Sequence, residues 1–321
     1  MQKVCLHQHH LKRSKANSTQ TVTKSLSNVQ KVFLHLFEMV SSLGNKKSMQ
    51  SLENFDFMMI VSDPEIAAFV SQNGVKHLFV DLEKKGKLSR QRNLNTVISQ
   101  DTPETVSKIR QVAPNADIIV RLNPLNIETP EEVENIIDRG ADAVMLPYFH
   151  DERTLEKFVK IVANRLRVIP LVETTGSLKA VKTFAGKLDI DRVHFGLNDL
   201  HLERGDKMMF CPLLKGVLNA PIQQLKSAGL QFGIGGLARA GEGLIPPEIL
   251  IGEHVRLGSN QAILSRTFHR NANNLDGLCA SMDFPLELNR LLKIHKQFQS
   301  ANAEMLHLNH KKLLQFAANL C

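Results

Sequence analysis

Val168-Ile-Pro-Leu-Val-Glu173 and His194-Phe-Gly-Leu-Asn-Asp199 each read as a short apolar β-strand that runs without a break into a carboxylate. The two acids stand 26 residues apart, about the length of one strand, a crossover helix and the return. On a parallel sheet, that spacing puts both at the ends of neighbouring strands on one face. Two hard oxygen donors there suit Mg²⁺ or Mn²⁺. Each acid taken alone reads better as the cap of whatever follows it, so the surrounding strands have to decide.

Outward from this pair, strand and helix alternate. Upstream, Phe55 to Ser62 is an apolar strand, and Asp63-Pro64-Glu65 opens a helix with an Asp cap and a Pro in the first turn. Gly74 ends that helix, and Val75 to Val80 is a second strand closing on Asp81-Leu82-Glu83. Asp117 to Asn123 is a third, with Arg121 near its end, and Ala141 to Pro147 a fourth. The Glu173 and Asp199 strands follow, then Gln231 to Gly236 and Gln261 to Ser265. Helices are expected between them, at about 103–112, 129–139, 151–165, 176–186, within 207–229 and at about 247–256. Eight such repeats over residues 55–270 predict an α/β fold of the (β/α)8 TIM-barrel type, whose sites lie at the C-terminal ends of the strands. No GxGxxG opens a strand-to-helix turn, which disfavours a doubly wound sheet.

Residues 271–321 form a C-terminal helical extension. From Asp283 onward, Leu288, Leu291, Leu292, Phe298, Leu308, Leu313 and Phe316 supply apolar faces outside the barrel. Such faces need a partner surface, so a homo-oligomer is expected. Residues 1–54 are rich in Ser, Thr, Gln, Asn and Lys and read as a basic, disordered extension with one apolar patch at Val32 to Phe37. His7, His9 and His10 belong to that solvated tail.

The net charge of +8 is local. Residues 1–50 carry eight Lys and Arg against Glu38 alone, so the remainder is close to neutral. With no Trp, one Tyr and no basic run interleaved with aromatics, nothing marks a nucleic-acid surface. No apolar run approaches the ~20 residues that cross a bilayer, so a soluble protein without a membrane partner is expected. Cys5, Cys211, Cys279 and Cys321 are scattered, with no CxxC spacing, and suggest a reducing, cytoplasmic setting. The acid-poor N-terminus also permits organelle targeting.

Phe79-Val-Asp81-Leu-Glu83, Val120-Arg121-Leu-Asn-Pro124, Gly140-Ala-Asp-Ala-Val-Met-Leu-Pro147, Leu171-Val-Glu173-Thr and Phe195-Gly-Leu-Asn-Asp199-Leu, in this order and spacing, resemble the metal-dependent 4-hydroxy-2-oxoheptanedioate (HpcH/HpaI) aldolase and citrate lyase beta-chain family. The likeness covers about residues 55–270. It implies a barrel of the phosphoenolpyruvate/pyruvate-binding type. Glu173 and Asp199 would hold Mg²⁺ or Mn²⁺, Arg121 would steady the oxygen of a 2-oxo acid or thioester enolate, and Asp81 and Glu83 would orient a metal-bound water or a basic partner. Where the aldolase branch has His after the second acid, and the lyase branch Asp, this chain has Lys84.

Lys84 is therefore a candidate base, its charge pressed by Lys85 and Lys87, although those lysines read more simply as a solvated loop or as contacts to an anionic substrate tail. Gly233-Ile-Gly235-Gly236 after the seventh strand offers backbone N–H groups to an anion, with Arg239 as charge partner. Asn198 is placed to orient Asp199. His194 reads as a core histidine and His201 as the better acid–base candidate.

The expected function is a metal-dependent carbon–carbon lyase of the class II aldolase type that cleaves or forms a 2-oxo acid such as pyruvate or oxaloacetate. The alternatives are an acyl-CoA ester lyase or thioesterase, with the Lys84–Arg92 loop as a groove for CoA phosphates, and a non-catalytic barrel used for binding.

Overall fold

A computed structural model of the protein describes residues 55–87, 99–270, 272–318 and 320–321. The expectations for residues 1–54, and for Arg90 and Arg92, lie outside the described residues. Runs of β-branched and large apolar residues make eight parallel strands, and each strand reads as continuously apolar because both of its faces are covered. They are β1 (Asp56–Ile60), β2 (His77–Asp81), β3 (Asp117–Arg121), β4 (Ala143–Leu146), β5 (Arg167–Val172), β6 (Arg192–Phe195), β7 (Gln231–Leu237) and β8 (Gln261–Leu264). Each pairs with the next, and β8 returns to pair with β1, so the sheet closes into a barrel.

Seven helices or helix groups connect the strands: α1 (Pro64–Gln72), α2 (Pro103–Val112), α3 (Thr129–Ile137), α4 (Glu152–Val162), α5 (Thr175–Phe184), the group α6 (Leu197–Arg204), α7 (Cys211–Leu214) and α8 (Asn219–Ser227), and α9 (Pro247–Leu257). Their starts follow local chemistry. Asp63 caps α1 by accepting from the Ile66 N–H, Asp151 caps α4 through the Thr154 N–H, and Thr174 caps α5 through the Ser177 N–H. In α4 the buried face is Leu155, Phe158 and Val162, at helical spacing.

The barrel interior is layered. Met58, Phe79, Ile119, Ala143, Met145, Ile169 and Leu171 fill its middle. Below them, at the strands' N-terminal ends, charged groups pair with one another. His77 Nδ1 lies 2.7 Å from Asp117 Oδ2 and Nε2 lies 3.5 Å from Asp56. Arg167 pairs with Asp117, and Arg192 with Asp191 at 2.8 Å.

The extension is α10 (Leu275–Ser281), α11 (Phe284–Gln299) and α12 (Ala303–Ala317). Much of its apolar face is used within the chain. Helices α11 and α12 pack over α9, burying Leu288, Leu291, Phe298 and Leu313. This is why α9 is buried on nearly all sides, Glu253 and His254 included. At Gly252 a Cβ would fall 2.3 Å from Asn309 Nδ2, so glycine permits the close crossing. Leu292, Leu308 and Phe316 remain exposed.

The cysteines correct an expectation. Cys211 of α7 and Cys321 form a disulfide with their Cα atoms 5.6 Å apart, because α12 returns its end to α7 across a separation of 110 residues. Four reduced thiols is therefore the wrong reading. Among the described residues no helix is long and apolar enough to cross a membrane.

Two packed histidines make stability depend on pH. Burial holds His254 down at about 3 and His295, stacked on Phe55, at about 4. Both are neutral when folded and take up protons on unfolding below the ordinary histidine value of about 6.5. Their stabilisation is complete above that value and falls as the pH drops toward 4, by up to about 1.4 kcal/mol per pH unit for a fully buried ring. His77, raised because its bonds to Asp117 and Asp56 outweigh burial, works the other way. The urea midpoint should drop between pH 7 and pH 5, and His295→Phe should flatten that drop; an unchanged slope would show that the ring is already solvated.

Candidate active site

The C-terminal mouth of the barrel holds a cavity of about 460 Å³ lined by Glu83, Lys87, Arg121, Glu173 and Asp199, with Phe79, Met145, Leu171 and Ile263 as its apolar wall. Seven of the sequence candidates, Glu83, Arg121, Glu173, Asn198, Asp199, Gly235 and Gly236, thus face one space. Asp81 lies just behind them, buried.

Arg121 ends β3 and is clamped by Asp81, whose Oδ1 accepts from Nε at 2.9 Å and Oδ2 from Nη2 at 2.8 Å. Glu83 Oε2 is 3.4 Å from Nε. The guanidinium also lies over the Phe79 ring, 5.4 Å from its centre. Lys87 Nζ completes the cluster, 2.8 Å from Asp81 Oδ2 and 3.6 Å from Glu83 Oε2. Burial pushes the Asp81 carboxyl up, but the charges and hydrogen bonds of Arg121 and Lys87 outweigh it and hold the group ionised well below the usual carboxylate range. Two acids and two bases cancel.

Glu173 and Asp199 remain. Glu173 follows β5, is almost fully buried, and accepts the Tyr148 N–H at 2.9 Å on Oε1. Tyr148 takes a left-handed φ of 48°, a conformation that costs a non-glycine residue about 1 kcal/mol or more. Burial, then the charge of Asp199, then that of Glu83 push the Glu173 carboxyl well above its ordinary value.

Asp199 does not close a strand, as the sequence suggested. β6 stops at Phe195, and Asp199 sits in the first turn of α6, where the exposed N–H groups favour a carboxylate. Gly196 makes the break possible, since a Cβ there would fall 2.8 Å from both Cβ and Oε2 of Glu173.

This donor set fits a hard divalent cation. Two carboxylates of like charge face one cavity, one of them buried and driven toward protonation. A dication would relieve both, and Mg²⁺ commonly binds through one or two carboxylates while keeping its waters. Among the described residues no group of three His, Cys, Asp or Glu side chains makes a full protein cage, so the remaining positions would be for water or ligand.

Lys84, Arg239 and His201 fall outside. Lys84 is exposed and gives its backbone N–H to Asn123 Oδ1 at 2.9 Å; it does not line the cavity. The buried lysine is Lys87, because Gly86, at φ 76°, turns the chain back inward. Reading the Lys84–Arg92 run as solvated missed it, and the glycine between Lys85 and Lys87 was the available signal. Arg239 is buried but bonded to Glu242 Oε1 at 2.7 Å, away from the cavity. Gly235 and Gly236 do line the cavity, and the cation that joins them there is Arg266, after β8. Asn198 Nδ2 is 3.4 Å from Asp199 Oδ1. His201 is buried without lining the cavity, whereas His194 lines it.

No family model and no curated protein matches the sequence. Solved structures do match the fold. The chain is similar to an HpcH/HpaI aldolase from Desulfitobacterium hafniense DCB-2, at 16% identity and a TM-score of 0.51, over 66% of this chain and 86% of that one. It is similar to an HpcH/HpaI aldolase/citrate lyase family protein from Burkholderia cenocepacia J2315, at 15% identity and 0.53, over 66% and 88%. Citrate synthase SbnG matches at 16% and 0.51, over 66% and 85%.

The fold is that of the HpcH/HpaI aldolase barrels.

Two substitutions probe the charge arrangement. Without added metal, Glu173→Gln should be more stable than the parent at pH 8. The gain should shrink toward pH 4.5, because a carboxyl whose folded value is raised loses stability as pH climbs through it. The variant should also lose Mn²⁺ binding by calorimetry; retained binding would remove Glu173 from the cation site. Lys87→Met leaves two buried acids with one cation and should cost about 3–5 kcal/mol in urea unfolding.

Proposed function

We propose that the protein is a carbon–carbon lyase of the class II aldolase type, acting on 2-oxo acids such as pyruvate or oxaloacetate and dependent on Mg²⁺ or Mn²⁺. The observation that carries this reading is the buried Glu173, its carboxyl pushed up by burial and by the charge of Asp199, opening with Asp199 on the same cavity as a clamped guanidinium. Glu173 and Asp199 would hold the cation, which when bound would polarise the 2-oxo carbonyl.

The chain's own residues supply the rest. Asp81 holds two nitrogens of Arg121 and so fixes the plane in which the guanidinium meets the keto oxygen that gains charge. Glu83, lining the cavity beside Lys87, is placed to take the proton of the substrate hydroxyl. As that O–H is lost, the carbon–carbon bond breaks, its electron pair passes to the 2-oxo fragment, and a proton returned to the methylene carbon completes the acid. Phe79, Met145, Leu171 and Ile263 keep water from that carbon. Gly235, Gly236 and Arg266 border the cavity where an anionic substrate end would lie.

The CoA-ester alternative draws less support. It needs a basic groove at Lys84–Arg92, yet Lys85 is paired with Glu128 and Lys87 is turned inside.

Pyruvate release from 4-hydroxy-2-oxo acids, followed with Mg²⁺ or Mn²⁺, is expected to stop with chelator and resume when metal is restored. Asp199→Asn and Arg121→Gln should each lower kcat at least about 100-fold. Turnover indifferent to metal removal would overturn the proposal.

A further inference from the structure

Below the carboxylates the cavity wall is apolar except at one place. His194 of β6 opens onto the cavity although its side chain has no solvent exposure, and neither ring nitrogen has a protein partner. The ring's setting is prepared by β7. A Cβ at Gly233 would fall 2.5 Å from Nδ1 and 2.9 Å from Cε1, so the edge of the imidazole occupies the place of the missing side chain.

On the far side of Gly233 the register brings Gln261 of β8. Gln261 stands two residues before the cavity-lining Ile263 and so shares its inward face, beneath the cavity rather than lining it. It is fully buried, and both its amide atoms lack partners. Two polar side chains thus flank a glycine in an otherwise hydrocarbon interior, with four atoms able to form hydrogen bonds.

A buried donor or acceptor left unpaired costs about 1–3 kcal/mol, and such groups persist where something from the cavity meets them. What they fit is set by charge. Burial, then the charges of Arg192 and Arg121, hold His194 at about 3, so the ring is neutral, with one nitrogen donating and the other accepting. Gln261 is neutral by nature. A neutral pair cannot offset the desolvation of a carboxylate, and Arg121 and Arg266 stand nearer the mouth for that end. A hydroxyl or carbonyl needs only the hydrogen bonds.

We propose that His194, supported by Gln261, is a specificity-determining residue that binds an uncharged hydroxyl or carbonyl group on the part of the substrate remote from its 2-oxo acid end. This deepens the lyase reading and rests on it for the nature of the substrate's other end. The preferred substrates are then 4-hydroxy-2-oxo acids that carry a further hydroxyl or carbonyl beyond the hydroxyl that reacts, over those that lack it.

The test is calorimetry on the full chain with Mg²⁺, comparing 5-hydroxy-2-oxopentanoate with 2-oxopentanoate, neither of which carries the 4-hydroxyl that reacts. Wild type should bind the hydroxy acid about tenfold more tightly or better, a difference typical of one buried hydrogen bond. In His194→Phe the two Kd values should converge while that of the deoxy acid stays within about twofold, and His194→Gln should keep part of the preference. A preference that survives His194→Phe overturns the proposal.

If wild type binds neither acid, the lyase reading has failed. The pocket is then judged alone from the ¹⁵N shifts of the His194 ring in wild type on adding glyceraldehyde. That readout also decides the matter if His194→Phe does not fold: a displaced ring signal upholds the pocket, and an unmoved one removes it.

Discussion

Two like charges held close together in a poorly solvated place are the constraint on which the mouth of this barrel depends. Glu173 is buried beside Asp199, whose charge adds to burial in raising the cost of ionising it. The surrounding chain makes that proximity inescapable. Gly196 lacks the side chain that would push Glu173 away, and Tyr148 adopts a left-handed backbone to direct its N–H at Oε1. A fold selected for stability alone would have no use for these concessions.

A few ångströms away the same problem is solved differently. Asp81, Glu83, Arg121 and Lys87 balance within the protein, and each acid lies within 3.6 Å of a cation. The strands' opposite ends follow that second pattern too, with Asp56, Asp117 and Asp191 matched by His77, Arg167 and Arg192. Among the described residues, charge is therefore matched where the barrel needs only to hold together, whereas where the cavity opens a buried carboxyl is set beside a second acid.

The eight-fold alternation was legible because parallel strands covered on both faces are plain apolar runs punctuated by Gly, Asp and Pro. Arg121, Glu173 and Asp199 were legible because strand ends converge in a barrel. The errors have physical causes. Phe195 to Asp199 reads as one extended run, yet Gly196 breaks it, and the carboxylate rides on a helix. Lys84 was preferred to Lys87 because sequence adjacency to Glu83 does not reveal that Gly86 reverses the chain. Arg239 was named as the charge partner of the Gly235-Gly236 turn because its capture by Glu242, three residues on, is a matter of loop path. His201 was preferred to His194 because alternation puts His194 inside, and only the bare backbone at Gly233 shows that there is space for its ring there. Cys211 and Cys321 meet through the return of α12, which no local pattern encodes.

The paired charges under the packed layer of Met58, Phe79 and Ile119 have one last consequence. They plug the barrel from beneath, so among the described residues the cavity is reached from the C-terminal ends of the strands. A molecule seated against the inner wall would therefore be shut in by any second molecule lodged across the threshold, without the two having to touch.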